Sequence, residues 1–136
     1  MRRLLVSTAL LVPLMGGASA EDQQIDCNDA MAQQDMNICA HRDFEVADAE
    51  LNAAWKEARD AAKEMDAEQS EDLKGAVAAL LAAQRGWIAY RDGECDLAGF
   101  EARGGSMEPM LVSSCLADVT RARTNELKKF ITGGSE

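Results

Sequence analysis

At 136 residues the chain is long enough for one domain with a single modest core. A formal net charge of −10 makes nucleic acid and anionic membrane surfaces poor partners, and a strongly basic protein a good one. Four cysteines and a single histidine leave little material for a metal centre or a nucleophilic active site.

The chain opens with Arg2 and Arg3, then an apolar run from Leu4 to Leu14, then Ala18-Ser19-Ala20. A basic start, a short apolar stretch and small residues at a cleavage point are the three parts of a secretory signal, with cleavage expected after Ala20. The run is too short to cross a bilayer, which takes about 20 apolar residues. Glu21 stands where a lipoprotein would carry its acylated cysteine, and Cys27 comes too late. The expected mature domain is 21–136, periplasmic or secreted, with no membrane span. Losing Arg2 and Arg3 takes its formal charge from −10 to −12.

Export places Cys27, Cys39, Cys95 and Cys115 in an oxidising compartment, where an even count favours two disulfides. Three pairings are possible. Cys27–Cys39 with Cys95–Cys115 is favoured because each joins neighbouring segments, and each loop contributes on the order of 3 kcal/mol by the chain-entropy estimate. No C-x-x-C pair is present and His41 lies near Cys39 alone, so no metal is expected.

Residues 21–34 are polar, with one possible helical turn at 28–33. Asp35 reads as the cap of a long helix on which Met36, Ala40, Phe44, Ala47, Leu51, Trp55, Ala58, Ala62 and Met65 recur at steps of three and four. Ser70, followed by Glu71 and Asp72, reads as the start of a second helix. Along it Leu73, Val77, Leu80, Gln84, Trp87, Arg91 and Cys95 share one face, and it ends near 97–99. Residues 99–106, "GFEARGGS", form a Gly-rich, flexible loop. Ser106 then reads as the cap of a third helix that tolerates Pro109 in its first turn and lines up Leu111, Cys115, Val119, Ala122, Leu127 and Phe130. No stretch alternates with period two, so the expected fold is all-α: a small antiparallel bundle of three main helices stapled by two disulfides.

A glutamine and an arginine on the inner face of the second helix need partners, since an unpaired buried charge costs several kcal/mol. Asp48, on the inner side of helix one, is the expected partner of Arg91, with Asn52 four residues on to bond Gln84 or a backbone carbonyl. Asp48, Asn52, Gln84 and Arg91 are therefore expected to form an internal polar network with Trp87 packed across it, fixing helix register.

Chemistry is otherwise sparse. There is no G-x-S-x-G, no H-E-x-x-H and no phosphate-binding glycine loop. Oxidised cysteines offer no thiol nucleophile, and the methionines read as core filler rather than soft metal ligands. The expectation is a protein with no catalytic residues and no cofactor.

The C-(x)11-C spacing ahead of "DAELNAAW", then "QRGWIAYRDGEC", "GGS" and "CLADVTRARTNEL", resembles the LprI-type lysozyme inhibitor N-terminal domain family from Cys27 to Leu127. Asp48/Leu51/Asn52, Gln84/Trp87/Arg91/Cys95, Gly104-Gly105-Ser106 and Cys115/Thr120/Arg123/Leu127 stand in the family's order. The resemblance implies an exported helical domain that inhibits a lysozyme-like muramidase, a strongly basic partner suited to an acidic surface. A lysozyme cleft holds two carboxylates, so the candidate contact is the loop, with Arg103 or Ser106 entering the cleft and Phe100 at its rim; the loop's alternative reading is an ordinary helix connector with Arg103 solvated. The alternative is a non-enzymatic envelope protein of structural or interaction role with another partner. An acidic cluster on the same face as residues 99–106 would favour the inhibitor.

Overall fold

The computed structural model describes residues 25–133, so the expected secretory leader and the cleavage expected after Ala20 lie outside the described residues. Three helices make up the fold: α1, Gln33–Ala67; α2, Ala76–Gly99; and α3, Glu108–Ile131. A single 3-10 turn, Phe100–Ala102, follows α2, and no strand occurs among the described residues. Gln33 at the start of α1 reaches Met110 at the start of α3, and Asp43 reaches Arg121 further along both. The two helices therefore run parallel, and α2 runs back between their ends, antiparallel to each.

The most extensive contact is between α1 and α3. α1 buries Ala47, Leu51, Ala54, Ala58 and Ala62, and α3 buries Ala117, Thr120, Thr124 and Leu127. Both sets step by three and four, the spacing that stacks side chains on one helix face. Small side chains on both faces let the two backbones lie close. The inner face of α3 differs from the sequence reading at Ala122, which is exposed, and at Thr120 and Thr124, which occupy the seam instead. Met65, expected inside α1, is also exposed.

The two ends of the bundle are held differently. Where α1 and α3 end and α2 begins, Leu51, Ala54, Ala58, Ala62, Leu80 and Leu127 form the core, with Trp55, Val77, Trp87, Phe130 and Ile131 packed against it. At the opposite end two disulfides take over: Cys27–Cys39 ties the leading segment to α1, and Cys95–Cys115 ties the last turns of α2 to α3. Cys95 is fully buried. Gly99 is buried beside it, and a Cβ there would stand 2.6 Å from Val112 Cγ2, so α2 approaches α3 at a distance only glycine permits.

All three helix starts depart from the sequence reading. α1 begins at Gln33 after Ala32, with no side-chain cap, and Asp35 lies inside its first turn. α2 begins at Ala76, not Ser70; residues 70–75 are turn and loop, and Leu73 is 67% exposed. Ser70 hydroxyl donates to Asp72 locally (2.6 Å) and caps nothing. The α2 cap comes from Asp66, near the end of α1. Its Oδ1 accepts the N–H groups of Gly75 and Ala76, both at 2.8 Å, and Oδ2 that of Val77 at 3.1 Å. One carboxylate thus serves three donors at a helix start, where N–H groups lack partners within the helix. α3 begins after Met107 with no side-chain cap, and Ser106 contributes its carbonyl instead, accepting from Asn37 Nδ2 at 2.9 Å.

Candidate functional site

The loop between α2 and α3 closes the disulfide end of the bundle. Gly104 has φ +78°, a left-handed conformation that glycine adopts without strain, and this lets the chain turn back toward α3. Glu108, the first residue of α3, braces the turn. Its Oε2 accepts the Gly104 N–H at 2.7 Å and its Oε1 accepts from Arg103 Nη1 at 2.7 Å. Arg103 also lies 3.7 Å from Asp96 Oδ1 and stacks over the Phe100 ring at 4.4 Å. Asn37 holds the loop to α1 through the Ser106 carbonyl. The segment read as a flexible loop is thus a 3-10 turn followed by a turn tied at several points.

The exposed side chains of this end include Phe100, Arg103 and Ser106, with Asp96, Leu97, Glu101 and Met107 alongside. Arg103 is half exposed and presents a charge on an aromatic platform, an arrangement that limits its rotamers before any partner arrives. Asp96 and Glu101 put acids on the same end of the bundle as the loop.

The seam residues divide into two groups. Asn52 Nδ2 donates to Asp48 Oδ2 at 3.0 Å, and Arg91 Nη1 lies 3.8 Å from Asp48 Oδ1. Arg91 makes its hydrogen bond to Asp92, from Nε to Oδ1 at 2.9 Å, and lies against the rings of Trp87 and Phe44, with its guanidinium 5.0 and 5.7 Å from the ring centroids. Its side chain is 15% exposed. Gln84 belongs to the second group: its Oε1 accepts from Arg123 Nε at 3.0 Å, and Arg123 Nη1 donates to Glu126 Oε2 at 2.8 Å. Gln84 therefore faces α3, while Arg91, two turns on, faces α1.

An ion pair between α1 and α3 also had no counterpart in the sequence reading. Arg121 on α3 grips both oxygens of Asp43 on α1. The hydrogen bond from Arg121 holds the Asp43 carboxyl below its ordinary range, against a smaller opposing effect of burial, and raises the Arg121 guanidinium in turn. The residues are 78 positions apart and sit on the flanks of their helices, outside the apolar stripes that sequence spacing reveals.

His41 is exposed on α1, 3.6 Å from Glu45. Among the described residues no group of three or more His, Cys, Asp or Glu side chains is placed to hold a metal ion, and no helix is long and apolar enough to cross a membrane. An apolar groove lined by Met65, Ala79, Leu80, Ala83 and Phe130 lies at the cored end, away from the loop.

Comparison with known proteins gives three findings. The family described as Lysozyme inhibitor LprI matches residues 26–127. A protein of Rhizobium meliloti (strain 1021), described only as uncharacterized, is 49% identical over 134 residues, covering 96% of both chains. No solved structure matches.

Proposed function

Since the chain belongs to the lysozyme inhibitor LprI family, we propose that it is an exported, non-enzymatic protein that binds and inhibits a lysozyme-like muramidase in the periplasm. The leader sequence supports export, and two disulfides suit an oxidising compartment. The net charge of −10 suits a basic target: long-range attraction raises the encounter rate and orients the approach. The residues proposed to meet the target are Phe100, Arg103 and Ser106.

The observation that carries this reading is the setting of Arg103. An exposed guanidinium stands on Phe100 at the tip of the bundle, held by the carboxylates of Glu108 and Asp96. A muramidase cleft offers two carboxylates of its own, so Arg103 can exchange one carboxylate environment for another without being stripped of partners. Asp48, Asn52, Gln84 and Arg91 are proposed to be structural, setting how α2 lies against its neighbours.

The test is complex formation between the oxidised mature chain and a c-type lysozyme, followed by light scattering at low and at physiological salt. An equimolar complex that weakens as salt rises is expected, and Arg103→Ala weakens it at least tenfold. Absence of a complex at low salt overturns the reading. An unchanged affinity for Arg103→Ala removes Arg103 from the contact.

A further inference from the structure

Tyr90 and Leu97 on α2 and Phe100 just beyond it are 59%, 64% and 53% exposed. Scattered exposed apolar side chains are normal on any protein; these three are not scattered. At 100° per residue, positions 86, 90, 93 and 97 fall on one line of the helix, and Phe100 continues its outer side into the 3-10 turn. That line points away from α1 and α3, which meet α2 through Leu80, Gln84, Trp87, Arg91 and Cys95.

The other two residues on the line are Gly86 and Gly93. Glycine inside a helix is destabilising relative to alanine, and its use is usually repaid by a close approach or a positive φ. Neither applies here. A Cβ at either position would meet nothing within 4 Å, and neither glycine has a positive φ. The bundle does not require them, so two shallow notches beside Tyr90 and Leu97 lie open to whatever packs from outside.

The rim of this face is mostly acidic, carrying Glu94, Asp96 and Glu101 against the cations Arg85 and Arg103. Asp92 is engaged by Arg91, and Asp96 lies near Arg103. Glu94 and Glu101 make no ion pair among the described residues, and they lie along the same side as Tyr90 and Leu97. Exposed aromatic and aliphatic anchors inside a charged rim match the composition of a protein-binding patch. A second copy of the chain is disfavoured as the occupant. A two-fold contact sets the same patch against itself, which places a mostly acidic rim on both sides of the contact.

We propose that the outer face of α2, from Gly86 through Tyr90, Gly93 and Leu97 to Phe100, is the principal docking surface for a cationic protein partner. Glu94 and Glu101 supply the charge, and the two glycines admit the partner's surface. The proposal rests on the inhibitor reading and extends it, making the 99–106 loop one end of a longer contact.

The glycines provide a test that misfolding cannot imitate. Gly86→Leu and Gly93→Leu fill the notches with a good helix former, so the melting temperature stays level or rises. Binding of c-type lysozyme by each oxidised variant and by the wild type is measured by surface-immobilised kinetics, with sedimentation of the free proteins alongside. The expected result is at least tenfold weaker binding for both variants at unchanged or higher Tm, and a similar loss for Glu94→Lys with Glu101→Lys. Wild-type binding with undiminished affinity in the variants overturns the docking face while leaving the inhibitor reading standing. No binding by the wild type overturns both. A wild-type dimer that the leucine substitutions dissociate assigns the face to self-association and overturns the cationic partner.

Discussion

Asp66 on α1 caps α2: its Oδ1 lies 2.8 Å from the backbone nitrogen of Ala76, ten residues on, and the same carboxylate accepts from Gly75 and Val77. These backbone donors, Gly75 first, hold the Asp66 carboxyl below its ordinary range. The folded state therefore binds this proton less readily than the unfolded chain, and stability linked to Asp66 is full above the unfolded pKa of about 4 and drains as pH falls through the lower folded value. Asp43, held low by Arg121, acts in the same direction. Thermal melts from pH 7 to 2 are expected to show a fall in Tm that begins near pH 4, by the ordinary carboxylate range. Asp66→Ala lowers Tm by several degrees at pH 7 and shrinks the acid-dependent part of the fall. An identical acid profile in Asp66→Ala would show that the cap does not supply the dependence.

Thr120 and Thr124 sit one helical turn apart in the α1–α3 seam and should respond oppositely to the same change. The Thr124 hydroxyl donates to the Thr120 carbonyl at 3.0 Å. The Thr120 hydroxyl is buried with no hydrogen-bond partner among the described residues. Replacing a buried unsatisfied hydroxyl with a methyl of similar shape removes a desolvation cost, so Thr120→Val is expected to stabilise by about 1 kcal/mol. Thr124→Val loses a made bond and is expected to cost about 0.5–1.5 kcal/mol. Urea denaturation of the two variants decides it, and a destabilised Thr120→Val would show that its hydroxyl is satisfied in solution.

Gly99 is a glycine that the fold does use. Its missing Cβ makes room for Val112, whose Cγ2 would otherwise stand 2.6 Å away. The branched valine has no flexible end to swing aside, so Gly99→Ala is expected to cost about 1–3 kcal/mol, the range for overpacking a tight contact. A neutral result in the same denaturation assay would mean that α2 and α3 slide apart freely at this point.

The two disulfides should be unequal. Cys95–Cys115 joins two packed helices through a fully buried sulfur, and the Cys95→Ala, Cys115→Ala pair is expected to cost about 3 kcal/mol by the chain-entropy estimate. Cys27–Cys39 fastens a segment that is mostly exposed. Its removal should free residues 25–32 to proteolysis and hydrogen exchange with a smaller loss of global stability. Equal losses would mean that the leading segment is part of the cooperative unit.

These elements show what sequence spacing can and cannot reveal. Leu51, Ala58 and Leu127 were legible because a three-four rhythm is fixed by helix geometry alone, whatever the tertiary fold. Both disulfides were legible because each joins segments adjacent along the chain. The start of α2 was not: Ser70-Glu71-Asp72 has the composition of a helix start, but the donors of α2 are met by Asp66 from another helix, and the chain between becomes a turn. Gln84 and Arg91 were recognised as polar residues on an inner face. Their partners depend on how α2 tilts between its neighbours, which turned Gln84 to Arg123 and left Arg91 stacked on Trp87. The Phe100–Arg103 stack and its Glu108 brace lie in a segment with no periodicity to read, where only the Gly104-Gly105 pair signalled a turn.

Inhibition of a muramidase by this acidic, disulfide-stapled bundle can be read in a single assay. Its most direct test is the residual cell-wall-lysing activity of a c-type lysozyme titrated with the purified, oxidised mature chain, at low and at physiological salt. Loss of activity is expected to reach completion near one equivalent at low salt, with a weaker inhibition constant as salt screens the attraction. Full activity at a large molar excess in both salts would contradict it.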